Sequence, residues 1–247
     1  MTTVRPGATV PARWRPFACG LAFLAVCLVT ATSGEWMPHL SQLFSPALTA
    51  DPKAELPAPT QYSFRGFYTT VTFGVETPLR RELDARLPAR LGDVLVFYRT
   101  ELAKLGWQEQ GNGADVRADH VQLAFASPVG PALLKLGRKD NSTTVSLVQK
   151  NESVATRANL LPEPGQAKLV FSNISDQEAA LTINAQTITR AADAHGVALD
   201  LPPGKYAYEL NVPGHPATTN VLTVAAGDTW EVSVGRDGGV WSPQHLY

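Results

Sequence analysis

The chain has 247 residues, 44% apolar and 17% charged, which is enough apolar material for a buried core and excludes disorder throughout. Lys and Arg total 21 against 22 Asp and Glu, so the chain lacks the broad positive field that nucleic-acid binding through phosphates requires. With 19 Pro and 19 Gly between short apolar runs, the composition points to strands joined by turns.

Arg5, Arg13 and Arg15 precede an uncharged run from Phe17 to Ala31, with Phe17, Leu21, Phe23, Leu24 and Leu28 as bulky apolar members. A basic leader before such a run predicts a signal peptide or membrane anchor over residues 1–34. Cleavage stays open. The run matches a signal-peptide core and reaches the roughly 20 residues of a comfortable span only if Thr32, Ser33 and Gly34 extend it, while Val29-Thr30-Ala31 and Ala31-Thr32-Ser33 offer peptidase-like spacing. Either way the arginines keep the N-terminus cytoplasmic and export the rest. The expected location is a membrane-anchored periplasmic or extracytoplasmic body, secreted if the signal is cleaved. Beyond residue 34 there are 18 bases and 22 acids, a mildly acidic balance that disfavours a polybasic grip on anionic lipid. Cys19 and Cys27 both fall inside the apolar run, so the exported part folds without disulfides. Val26 departs from the small residue that a lipoprotein signal places before its cysteine.

Residues 35–60 contain Pro38, Pro46, Pro52, Pro57 and Pro59 without a sustained period, and predict a Pro-rich stalk. Within it Leu40, Leu43, Phe44 and Leu48 have the spacing of a short interfacial helix. An α+β module is expected over 61–150. Phe67, Thr69, Val71 and Phe73 alternate with Tyr68, Thr70 and Thr72 as a strand. Arg80, Arg81, Arg86 and Arg90, interrupted by Glu82 and Asp84, read as a solvated mixed-sign face or as a docking patch for an acidic partner. Leu91, Val94, Leu95, Tyr98, Leu102 and Leu105 recur at helical spacing before Gly106, predicting an amphipathic helix of about four turns. Gly111-Asn-Gly113 reads as a turn. Val121, Leu123 and Phe125, then Ala132, Leu134 and Leu136, then Val145 and Leu147 predict three hairpin-connected strands, with the helix laid on one face of their sheet.

A linker is expected over 151–165, with Pro162 and Pro164. After it, short strand patterns at 167–172, 180–183, 187–189, 197–201, 206–212, 220–224, 229–234 and 240–241 predict a β-sandwich over 166–247. The expected fold class is α+β: an N-terminal membrane helix, a small antiparallel sheet with one packed helix, then an all-β sandwich.

Two resemblances rest on particular residues. Phe97-Tyr98-Arg99-Thr100-Glu101-Leu102, running on to Gly106-Trp107 and followed by strands at Leu123-Ala124-Phe125 and Thr144 to Leu147, resembles a recurring module of bacterial envelope proteins and lipoproteins; it covers roughly residues 60–150 and implies place and fold, with no catalytic activity attached. Lys168 to Asn173, Leu199 to Tyr206 with Val212-Pro213-Gly214, and Leu222 to Trp230 are similar to the small envelope sandwiches of the PEGA and carboxypeptidase-regulatory type, which implies an accessory for adhesion, spacing or protein contact.

The histidines, His39, His120, His195, His215 and His245, form no H-E-x-x-H arrangement. The sequence also lacks a nucleophile elbow, a phosphate loop and a dinucleotide fingerprint. Asp193, His195 and Asp200 read either as a loop cation site or as a solvated turn. No role is assigned to the sequons at Asn141 and Asn173, and no cofactor is expected. The functional expectation is a non-catalytic, membrane-anchored envelope protein that binds or scaffolds through its C-terminal sandwich. Pro202, Pro203, His215 and Trp241 are its candidate contacts, with an envelope protein or cell-wall component as partner and no nucleic acid. The alternative is an exported hydrolase in which Asp115 and Asp119 meet His120 in a cleft. A membrane-tethered sensor would need a partner to carry its signal.

Overall fold

The computed structural model describes residues 47–247. The expected anchor residues Phe17, Leu21, Phe23, Leu24 and Leu28, together with Leu40, Leu43 and Phe44 of the stalk, lie outside the described residues. Among the described residues, no helix is long and apolar enough to cross a membrane. The architecture is mostly β, with a sandwich at its C-terminal end.

Strands β1 (Phe64–Thr72), β2 (Val75–Leu87), β3 (Gln108–Val116), β4 (His120–Ser127), β5 (Gly130–Lys139) and β6 (Ser142–Lys150) form one antiparallel sheet ordered β1-β2-β6-β5-β4-β3. Strand alternation puts Leu83, Ala85, Leu87, Val121, Leu123, Phe125, Leu134, Leu136, Val145 and Leu147 on one face. Helix α1 (Leu91–Lys104) covers that face with Val94, Leu95, Phe97, Tyr98 and Leu102, each large apolar side chain contributing about 1.5–3 kcal/mol by leaving water. Phe97 takes the place expected for Leu105. Leu105 is the C-cap and is 53% exposed. The left-handed turn at Gly106, φ 76°, then brings Trp107 into the core beside Phe125.

Three local expectations are corrected. The arginine-rich stretch, expected as a solvated face, lies largely within a 13-residue strand, β2, that divides it: Arg80 and Arg86 share the side away from α1, whereas Arg81 shares the side of Leu83 and reaches Glu55. Gly111-Asn-Gly113 lies inside β3, where the register with β4 slips between Gln110 and Asp115, so the glycines serve a bulge. Residues 47–60 of the expected stalk fold back on themselves. Asp51 N–H donates to Ala58 O and Thr60 N–H to Thr49 O, and the loop buries Leu56 and Ala58 in the sheet–helix core with Leu48 beside them. Leu48 is therefore no part of a helix.

The sandwich has one sheet of β7 (Ala167–Asn173), β10 (Ala194–Leu201), β13 (Thr229–Val234) and β14 (Gln244–His245), ordered β10-β7-β13-β14, with β7 and β13 parallel. The other holds β8 (Ala179–Ile183), β9 (Gln186–Arg190), β11 (Gly204–Asn211) and β12 (Thr218–Val224), ordered β12-β11-β8-β9. Leu169, Phe171, Leu181, Ile183, Tyr208, Leu210, Leu222 and Val232 fill the space between them. Val240 contributes an isolated bridge to Val234 rather than a strand.

Residues 151–165, expected as a linker, carry helix α2 (Glu152–Arg157), whose N-cap Asn151 side chain accepts the Val154 N–H. Val154, Ala155 and Leu160 are buried with Leu79, Val170, Leu246 and Tyr247 in a third core, because apolar residues in this window have surfaces of both modules to cover them. Every residue of β7 is consequently buried: Leu169 and Phe171 face the sandwich core while Val170 joins the third cluster. Buried Glu231 of β13 accepts hydrogen bonds at Oε1 from Ser172, 2.6 Å, and from Thr72 at the tip of the β1–β2 hairpin, 2.8 Å. The two modules thus share apolar and polar contacts.

Candidate functional site

The face of the six-stranded sheet opposite α1 carries alternate residues of β2, Arg80, Glu82, Asp84 and Arg86, directly across from Lys150, Val148, Ser146 and Thr144 of β6. Leu133 and Lys135 of β5 stand beside Val148 and Ser146. Where this face meets Asp228 and His245 of the sandwich there is a cavity of about 520 Å³, within the size range of small-molecule sites. Pro131, Leu133 and Val148 supply its apolar lining, Arg80, Glu82, Lys135, Lys150 and Asp228 its charged groups, and His245 an imidazole.

These groups are linked across the junction. Arg80 Nη1 donates to His245 Nδ1 at 2.6 Å, which fixes the histidine as a neutral tautomer with its proton on Nε2. That nitrogen faces Asp228 Oδ1 at 3.4 Å. The Trp230 ring stacks on the imidazole, centroids 4.6 Å apart. Burial lowers the His245 pKa, the charge of Arg80 lowers it further, and Asp228 opposes both. Glu82 Oε1 stands 2.8 Å from Arg80 Nε. The half-buried Lys150 ammonium lies over the Tyr247 ring, 4.6 Å from its centroid; burial lowers its pKa, with Asp228 opposing and Arg80 adding. A purely sequence-based signal existed for one wall only, the alternation of Arg80, Glu82, Asp84 and Arg86 with Leu79, Leu83, Ala85 and Leu87. Lys150 and His245 are 95 positions apart in the sequence and meet only through the fold.

The expected contact residues divide between the two ends of β11. His215 and Trp241 converge on the Gly235–Gly239 turn, His215 against Gly238 and Trp241 against Gly235, so closely that a Cβ on either glycine would clash. Trp241 is 54% exposed. Exposed Pro202 and Pro203 lie in the turn before β11, where the Pro202 carbonyl accepts the Tyr206 hydroxyl at 2.6 Å.

Asp115, Asp119 and His120 do meet, at the β3–β4 hairpin. His120 Nε2 is 3.1 Å from Asp115 Oδ2 and its Nδ1 is 2.9 Å from Asp119 Oδ1, while Arg117 pairs with Asp115. The hydrogen bonds that the His120 ring donates to Asp115 and then to Asp119 raise its pKa, favouring the imidazolium over the free base that proton abstraction needs. All three side chains are substantially exposed on the hairpin. Asp200 faces Lys168 at 3.9 Å, and Asp193 occupies a left-handed turn position, φ 49°. Among the described residues no group of three or more His, Cys, Asp or Glu is placed to hold a metal ion. Asn173 is fully buried, its amide donating to the Gln177, Arg190 and Ala191 carbonyls.

Comparison with protein-family profiles gave no match, and comparison with curated proteins gave none either.

Proposed function

We propose that this chain is a non-catalytic, membrane-anchored envelope protein that recognises a protein or cell-wall partner through its C-terminal sandwich. The observation that carries the reading is the platform formed where His215 and exposed Trp241 converge on the Gly235–Gly239 turn. A half-exposed indole packed beside a short turn offers a large contact area, the character of an interface hot spot. The basic leader and uncharged run supply the export and anchoring part of the reading. The test is in-situ cross-linking of the tagged full-length protein and its His215→Ala/Trp241→Ala variant, followed by mass spectrometry. Envelope proteins or wall fragments captured by the parent and lost from the variant are expected; equal capture by both would sink the sandwich assignment.

The second reading is an exported hydrolase at the β3–β4 hairpin, favoured by the contacts of His120 with Asp115 and Asp119. It requires that His120→Ala abolish a hydrolytic activity of the purified protein on envelope-derived substrates.

A further inference from the structure

We propose that the cleft between the six-stranded sheet and the sandwich binds a small organic anion, a carboxylate or phosphate ester carried on an apolar body. This site is separate from the His215–Trp241 platform and goes beyond the partner recognition assigned to it. Its charge is unbalanced in a specific way. Arg80 and Lys150 are direct cross-strand partners on the same face, and like charges so placed repel. The two acids of the cleft are already engaged: Glu82 with Arg80, and Asp228 with the Ala225 N–H and the Trp230 indole N–H. Lys150 has the Tyr247 ring beneath it and, among the described residues, no carboxylate within ion-pair distance. Exposed Lys135 stands further along the same face without such a partner either, opposite Ser146. Between the lysines, Leu133 and Val148 face each other across β5 and β6 and make an apolar floor.

An anion beside Lys150 and Arg80 would relieve their repulsion and complete the ammonium's coordination, while its body covers Leu133 and Val148. Lys135 at the rim would add steering and a second, weaker contact. The polar mouth and apolar floor together select against a bare inorganic ion and against a neutral apolar molecule. Carboxylate and phosphate share this chemistry, and the titration separates them.

The experiment is isothermal titration of the full-length protein in nanodiscs with phenyl phosphate, benzoate, inorganic phosphate and benzyl alcohol, with empty nanodiscs as blank. Saturable binding of phenyl phosphate or benzoate at a Kd of about 1 mM or tighter is expected, with benzyl alcohol and inorganic phosphate each about tenfold weaker or more. Lys150→Gln should weaken the anion about tenfold and Lys135→Glu severalfold, each with its thermal unfolding measured, whereas Lys139→Gln should leave binding unchanged. Absence of binding by both aromatic anions overturns the proposal, as does equal binding of benzyl alcohol. Inorganic phosphate binding as tightly as phenyl phosphate overturns the apolar subsite. If Lys150→Gln fails to fold, unaltered binding by Lys135→Glu overturns the placement of the anion in this cleft.

Discussion

Replacing Leu246 with Ala interrogates the shared core on which the relation of the two modules depends. Leu246 is 0% exposed and sits with Leu79 of β2, Val154 and Ala155 of α2, and Val170 of β7, so one side chain touches a cluster drawn from the sheet module, the connection and the sandwich. The substitution removes three carbons, each contributing about 0.8 kcal/mol by transfer, or about 2.4 kcal/mol together. Incomplete collapse around the void raises the loss to about 3 kcal/mol, within the span of buried Leu→Ala changes. In a folded body of about 200 residues each kcal/mol moves Tm by about 2–4 °C, so a fall of about 6–12 °C follows. Scanning calorimetry of the full-length protein should show a single transition, displaced as a whole in the variant. Two resolved transitions with only one displaced, or a fall below about 2 °C, would refute the idea that the modules fold as one body.

Stability should also depend on pH through His245, which is held between Arg80 on β2, Asp228 in the turn before β13 and Lys150 on β6. Its native pKa lies below the ordinary 6.5, so the unfolded chain takes the proton first; stability is full above that value and falls as pH drops through 6.5 towards the lowered native pKa. His245→Gln should flatten this part of a Tm–pH series, and an unchanged slope would remove His245 as its source. His120 has the opposite sign, its raised pKa giving a contribution present at low pH and lost as pH rises through the native value. Tyr98→Phe should be neutral or stabilising by up to about 1 kcal/mol in urea titration, because the buried Tyr98 hydroxyl has no hydrogen-bond partner and removing an unpaired polar atom recovers its desolvation cost; a clear loss would indicate a bonded hydroxyl. Gly130→Ala should cost about 2 kcal/mol or more by the same assay, since Gly130 has φ 147° and an added Cβ would stand 2.6 Å from the Lys150 carbonyl oxygen. A cost under about 0.5 kcal/mol would mean that the turn relaxes freely.

Much of the second module was legible because its strand patterns are short and bounded by turn residues, as in the alternating Tyr206, Tyr208 and Leu210 of β11, whereas the two-residue β14 carries no pattern to read. Helix α1 was legible for the same reason, apart from the exchange of Leu105 for Phe97 where the chain leaves the helix. Strand β2 was hidden by Arg81. That residue breaks the apolar sequence Leu79, Leu83, Ala85, Leu87, yet it fits because its guanidinium reaches Glu55 of the 47–60 loop. The apolar residues of the 47–60 loop hold no sustained period, and helix α2, at six residues, is too short to show one; Leu56, Ala58 and Val154 acquire meaning only from surfaces supplied by distant strands. The cleft was hidden more completely. Its charge imbalance depends on the register that sets Arg80 opposite Lys150 and on the C-terminal residues that close one end.

Because Arg80 and Lys150 belong to the sheet module while Asp228 and His245 belong to the sandwich, the shape of the cleft is set by the contacts that hold the modules together. Glu231 fixes the hairpin tip to β13, and Leu246 and Tyr247, which follow His245 directly, are buried in the third core. The site is therefore assembled before any anion arrives, and little binding energy is diverted to ordering it. Linkage then gives a joint prediction. An anion at ten times its Kd should stabilise the native state by about 1.4 kcal/mol, a rise in Tm of about 3–6 °C. Leu246→Ala loosens the residue next to His245 without touching a charged group, so it should reduce that rise by weakening the anion's Kd. An undiminished shift in the variant, alongside normal binding, would show that the sheet face alone makes the site and that the sandwich merely stands beside it.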